Sequence, residues 1–428
     1  MYDWANSAFI TTVTVAVLPI FFADVVVGQE GFRIWGVVFK ASTLWSFMLT
    51  VSALIIFLFA PVLGAIADFS ASKKKFLMVF CYFGSLFGIL LYFCGSGDVW
   101  MTIVFFAIAQ IGFVGSNVFY DAFLPHIASE DKLDWVSGKG FAYGYLGGGL
   151  QFAISLGLVW QHEFFGFSEE QAARIAMAMA ALWWAGFSLF TLFYLKETEV
   201  KEELSEAYKR MPLWAAYTRI GIHRTLATAK KVKRFKHLLL FLIAYLIYND
   251  GIETVILMAT MFGKEELEFS AEILMVTLLI IQFVALIGAL IFGKLGEKIS
   301  AKKALMITLV LWSFVVIYAY FMDAAGEYFM LGVIVGLVLG GSQSLSRSLY
   351  GAMIPVSASA EFYGFYSVFK KFSAIWGPFV FGFVGHVTGT LRLSIISLII
   401  FFVAGLIILA FVDVEQAKKA KMSALFTQ

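Results

Sequence analysis

Asp250 and Glu253 stand three residues apart within one apolar run, so on a helix they share a face. Two carboxylates that close, away from water, are suited to exchanging a proton. Asn249 adds a polar neighbour, and Gly251 gives a point where the helix can loosen. The plain alternative is a buried structural network. Another acid, Asp68, closes the stretch Gly64-Ala65-Ile66-Ala67-Asp68, which is followed by Lys73 and Lys74. The pattern recurs as Gly293-Lys294-Leu295-Gly296-Glu297, followed by Lys302 and Lys303. An acid at a helix end beside the basic residues of a tight loop can form an ionic latch between neighbouring helices. A charge cluster that only sets topology is the alternative.

Enzyme chemistry has no such footing. His126, His162, His223, His237 and His386 are scattered, with no His-Glu-x-x-His helix, no Gly-x-Ser-x-Gly elbow and no phosphate-binding loop. Cys81 and Cys94 lack metal-type spacing and read as packing residues. No catalytic residue, metal site or cofactor is expected. A formal net charge of +2 gives no reason to expect a nucleic-acid partner.

The residues that could do chemistry must be positioned by membrane helices. Of 428 residues, 61% are hydrophobic and 14% charged, against roughly 25% charged in a soluble domain. The apolar residues come in runs of about 20, enough to cross ~30 Å of hydrocarbon. Six runs lie near 2–24, 42–67, 76–95, 100–124, 139–161 and 172–195. Six more lie near 238–262, 270–293, 303–322, 327–350, 363–388 and 391–412. This predicts an all-α membrane protein of twelve transmembrane helices in two six-helix bundles. The expected divisions are 1–195, a linker at 196–236, a second bundle at 237–415 and a tail at 416–428. The first run, opening on Tyr2 and Asp3 without a basic lead, reads as a retained helix rather than a cleaved signal.

Loop charge sets the orientation. Lys73 to Lys75, Lys294, Lys298, Lys302, Lys303, Lys418, Lys419 and Lys421 fall on one side. The opposite loops carry Glu30, Asp98, Glu163, Glu169, Glu170, Glu265, Glu266, Asp323 and Glu327, so both termini are expected in the cytoplasm. The linker ends in Lys230, Lys231, Lys233, Arg234 and Lys236. Leu213, Trp214, Tyr217 and Ile220 within it recur at helical spacing. It is either an interfacial helix on anionic headgroups or a solvated connector. Gly332, Gly336 and Gly340, every four residues, mark close helix packing. Tyr120-Asp121-Ala122-Phe123-Leu124-Pro125 also matches Tyr350-Gly351-Ala352-Met353-Ile354-Pro355. Like the latch pair, it is offset by about 230 residues, as a duplicated bundle requires.

The opening Tyr2-Asp3-Trp4-Ala5-Asn6-Ser7-Ala8-Phe9, the two latch motifs, Tyr120 to Pro125 and Gly364-Phe365-Tyr366-Ser367 together resemble the vacuole effluxer-like branch of the major facilitator superfamily. The resemblance covers essentially the whole chain. It departs from the superfamily's loop signature at Ala71, where many members carry Gly. Relatives carry residues ahead of the opening motif, so a short preceding arm is expected, with Asp3 close to the cytoplasmic surface.

The resemblance implies the major facilitator fold, alternating access and export of small polar metabolites such as amino acids from a bacterial inner membrane; the Asp250 and Glu253 pair adds the expectation of a proton-linked carrier, with a facilitative one as the alternative. A sugar or other solute carrier, a channel or a non-transporting receptor would share the fold. In this superfamily spans one, four, seven and ten line the central cavity. That makes Asp3, Asn6, Asn117, Asp121, Asp250, Glu253, Gln343 and Arg347 the candidates for substrate or proton handling. Arg347 would bind a substrate carboxylate or neutralise an acid of the opposite half. Tyr120, Tyr245, Tyr248 and Trp376 are candidate aromatic lining, and Lys370 and Lys371 are expected to snorkel to the cytosol. The implied partners are a small-molecule substrate, protons and membrane lipids.

Overall fold

A computed structural model describes residues 1–28, 30–197, 202–231 and 235–425, so Lys233 and Arg234 of the linker's basic end lie outside the described residues. The main helices are α1 (Tyr2–Ala8), α2 (Ala41–Ser70), α3 (Lys73–Leu90), α4 (Val99–Ala122), α5 (Leu133–Trp160) and α6 (Glu169–Tyr194). The linker helix is α7 (Leu213–Lys231). Then follow α8 (Lys236–Glu265), α9 (Ala271–Ile299), α10 (Ala301–Phe321), α11 (Ala325–Met353), α12 (Ser359–Phe372), α13 (Trp376–Thr388), α14 (Leu391–Ser397), α15 (Ile399–Ala410) and α16 (Val414–Leu425). Beyond α1 the first span continues with π-helical winding over Phe9–Val17 and Phe22–Val27. Between the first two spans a hairpin pairs β1 (Phe32–Ile34) with β2 (Val37–Phe39), antiparallel, with Phe32 opposite Phe39.

Ten helical stretches among the described residues are long and apolar enough to cross a membrane. The two remaining expected spans, the fifth and the eleventh, occupy corresponding places in the two halves. Span five is the 28-residue α5, whose apolarity is diluted by Gly144, Gly147, Gly148, Gly149 and Gln151. Span eleven is broken: α12 has 14 residues and α13 has 13, neither long enough to cross alone.

The chain forms two compact units: Met1–Ala60, Phe69–Tyr120 and Tyr143–Lys201 in one, and Pro61–Asp68, Asp121–Ala142 and Glu202–Gln428 in the other. Residues 61–68 and 121–142, from the first half of the sequence, therefore pack with the second half. In that second unit α9 and α11 cross at backbone contact. A Cβ on Gly340 would lie 2.0 Å from the Ala285 carbonyl oxygen, and one on Gly288 2.1 Å from that of Leu337. Small residues allow this approach where hydrocarbon supplies no hydrophobic drive between helices.

Candidate functional site

In the first unit the opening motif is packed on three sides. A Cβ on Gly147 of α5 would lie 2.4 Å from the Trp4 carbonyl oxygen, one on Gly144 2.8 Å from Ser7 Oγ and 3.1 Å from Asp3 Cβ, and one on Gly148 3.0 Å from Ser7 Cβ. Trp4 stacks on Trp183 of α6 at 5.7 Å. The polar residues of the motif turn to α4: Tyr120 Oη donates to Asp3 Oδ2 at 2.8 Å, and Asn6 Nδ2 donates to Asn117 Oδ1 at 2.6 Å. Asp3 is buried within the protein and bonded to Tyr120. Three sequence candidates, Asp3, Asn6 and Asn117, thus take part in two hydrogen-bonded pairs between the opening motif and α4. Farther along the span Thr12 Oγ1 donates to Gln151 Oε1 at 2.5 Å, a pair with no sequence motif to announce it.

In the second unit Asp250 caps a helix other than its own. Its carboxylate accepts the main-chain N–H of Trp376 at 3.1 Å and of Gly377 at 2.9 Å, the first residues of α13. Asn249 Nδ2 donates to Ser373 Oγ at 2.5 Å on the other side of the break. Positive amide ends attract a carboxylate, so the adjacent Asn249 and Asp250 of α8 hold both lips of the interruption in span eleven. A Cβ on Gly377 would fall 1.9 Å from Thr254 Oγ1, so this contact requires glycine. Pro378, in the first turn of α13, is the sequence signal that marks the break. Glu253 is half-buried on the same helix and within electrostatic reach of Lys371. Asp250 therefore turns to the α13 amides.

Arg347 of α11 is buried among first-half residues. Its Nη1 donates to Asp121 Oδ1 at 3.0 Å, Nε to Ser137 Oγ and Nη2 to the Ser137 carbonyl, each at 3.0 Å. The guanidinium also lies 4.2 Å from the centre of the Phe141 ring. It is thus ion-paired with a first-half acid. Ser137 was not marked by the sequence, because a lone serine on an apolar face carries no pattern. Gln343, one turn earlier, is half-buried.

The latch residues meet partners that the motif does not spell out. Asp68 accepts the main-chain N–H groups of Ala360 at 3.2 Å and Glu361 at 2.9 Å, at the start of α12. Gly64 makes the approach possible, since a Cβ there would lie 2.3 Å from the Ala360 carbonyl oxygen. In the repeat, Gly293 packs against Asp134 and Gly138 of α5, and Glu297 pairs with Lys132 at 3.3 Å. Lys302 donates to the carbonyls of Ala410 and Val412, closing the C-terminal end of α15, and Lys303 N–H donates to the Ser300 cap. Lys73 is buried, and Lys74 N–H donates to Glu197 at 2.9 Å. Lys370 is exposed and Lys371 half-buried.

Tyr245 and Tyr248 join Tyr350, Tyr363 and Tyr366 in a buried aromatic cluster, with Tyr366 stacked on Tyr245 at 4.6 Å and on Tyr350 at 4.8 Å. Trp376 takes part in the site through its main chain; its side chain is exposed.

Residues 1–422 match the family described as vacuole effluxer Atg22 like. The chain belongs to that family. This effluxer-like protein is 34% identical over 420 residues to YxiO of Bacillus subtilis, described as an uncharacterized MFS-type transporter; the alignment covers 97% of this chain and 94% of the relative. It is 25% identical over 374 residues to Autophagy-related protein 22 of Kluyveromyces lactis, covering 82% of this chain and 74% of that one. The proton:xylose symporter XylE, solved with 6-bromo-6-deoxy-D-glucose, superposes with a TM-score of 0.68 at 14% identity, covering 99% and 96% of the two chains. The Escherichia coli fucose:proton symporter FucP gives 0.69 at 12% identity, covering 96% of each. At such identities the likeness carries the fold alone. The effluxer-like chain is accordingly a multi-pass membrane protein with the major facilitator fold.

Proposed function

We infer that the protein is a secondary transporter that exports small polar metabolites, amino acids first among them, by proton-linked alternating access. The reading takes residues 1–195 and 237–415 as the two bundles, 196–236 as the linker and 416–428 as the tail. It places both termini in the cytoplasm of a bacterial cell, with the protein in the inner membrane. One observation carries it: a carboxylate within span seven, Asp250, holds the N-terminus of a half-helix in span eleven. Interrupted helices whose ends are held by charge are the devices by which carriers of this kind build their central sites. A protonated carboxyl would lose one of its two acceptor oxygens to the proton and loosen the break, so proton transfer at Asp250 would alter helix geometry. Asp3, Asn6 and Asn117 in the first unit, and Asp121, Glu253, Gln343 and Arg347 in the second, are the proposed substrate- or charge-handling groups. The latch is assigned to Gly64, Asp68, Gly293 and Glu297, with Lys73, Lys74, Lys302 and Lys303 securing the adjoining helix ends.

The test is counterflow in proteoliposomes loaded with pooled amino acids, or separately with pooled sugars, with and without an imposed pH gradient. The expected result is amino-acid exchange that responds to the gradient and is lost in Asp250→Asn. Exchange of sugars alone would replace the substrate class. Absence of exchange with either pool would favour a channel or receptor role.

A further inference from the structure

We propose that the outer face of the linker helix α7 is a docking surface for anionic phospholipid headgroups. Its inner face is already occupied. Ala216 and Ile220 are buried, and a Cβ on Gly221 would lie 2.9 Å from the Val62 carbonyl oxygen and 2.7 Å from Ile66 Cγ1. The helix therefore rests directly on α2 within the last turns before that span ends at Ser70. That packing, together with an ion pair from Arg224 to Glu202, sets its rotation.

With rotation fixed, the outward rows are determined. Trp214, Thr218, Ile222 and Leu226 recur every four residues as one stripe, with Trp214 76%, Ile222 45% and Leu226 56% exposed. The next row carries Arg219 and His223, both exposed, and Lys209 and Arg210 precede the helix, exposed as well. Between Lys209 and Lys236 the sequence holds no Asp or Glu. An apolar stripe beside a cationic row, lying against the end of a membrane span, matches the layer where acyl chains give way to phosphates. The lack of acids selects an anionic surface over a zwitterionic one.

The experiment uses the full-length chain with Cys81→Ala and Cys94→Ala and a single nitroxide label on Ile222→Cys. It is reconstituted in phosphatidylcholine, or in two parts phosphatidylcholine to one part phosphatidylglycerol. Power saturation compares collisions with lipid-soluble oxygen and a water-soluble nickel chelate. The expected result is a several-fold rise in the oxygen-to-nickel ratio on adding phosphatidylglycerol, reversed by Arg210→Gln with Arg219→Gln in the same bilayers. Both arginines are exposed, so their removal leaves the packing intact. A nickel-accessible label in both bilayers would overturn the docking surface. An oxygen-accessible label in both would overturn its requirement for anionic lipid, and so would indifference to the arginine changes.

Discussion

Ala71 adopts φ +46°, a left-handed conformation that strains any residue with a Cβ, at the position where the loop signature favours glycine. Left-handed strain of roughly 1–2 kcal/mol, less the greater flexibility of glycine when unfolded, leaves Ala71→Gly more stable by about 0.5–1 kcal/mol. Thermal unfolding in detergent measures this, and an unchanged or lowered midpoint would contradict it. Gly377 presents the opposite case. Gly377→Ala drives a methyl into Thr254 Oγ1, an overpacking of about 1–3 kcal/mol. Thr254→Ala should restore part of that loss in the double variant, the Asp250 oxygens at 2.9 Å remaining; two additive losses would mean the Thr254 clash is not what matters.

At the scale of elements, both pieces of span eleven start on an aspartate from another helix, Asp68 for α12 and Asp250 for α13. Losing such a cap costs about 0.5–2 kcal/mol. Asp250→Asn is therefore expected to speed amide hydrogen exchange at Trp376 and Gly377 by about tenfold while leaving Ala360 and Glu361 unchanged, and Asp68→Asn to do the reverse. Uniform acceleration at both helix starts would refute separate caps.

For the molecule as a whole, the consequential contact is the one joining the first-half segment 121–142 to the second half, with Arg347 on Asp121 and Ser137. Removing one member of a buried pair costs about 3–5 kcal/mol, whereas removing both can be nearly neutral. Asp121 is one-fifth exposed and can regain water, so Arg347→Leu should destabilise by less than that, and Asp121→Asn added to it should recover part of the loss. The recovery stops short of full because the Ser137 contacts go with the arginine. No recovery would mean that the ion pair does not govern this junction. The tail adds a second fastening, as Lys421 Nζ on α16 donates to Glu130 Oε1 at 2.8 Å and draws that carboxyl below its usual range.

The spans, their duplication and the positions of Gly64, Asp68, Gly293 and Glu297 follow from the sequence alone. In hydrocarbon every backbone group must be satisfied internally, so long apolar runs have little choice but helix. The same rule made Asp250 and Arg347 stand out, since an ionisable group in an apolar run demands a partner. Which partner it takes was decided by tertiary structure. Glu253 lay nearest to Asp250 in sequence, and Lys73 and Lys74 nearest to Asp68. Asp250 takes amide ends that exist only once span eleven breaks between Phe372 and Trp376, and Asp68 takes those at the start of α12. Those ends come within reach only because Gly64 and Gly377 let backbones touch. Contacts between residues more than a hundred positions apart leave no periodic trace in the chain, and only the packed helices supply them.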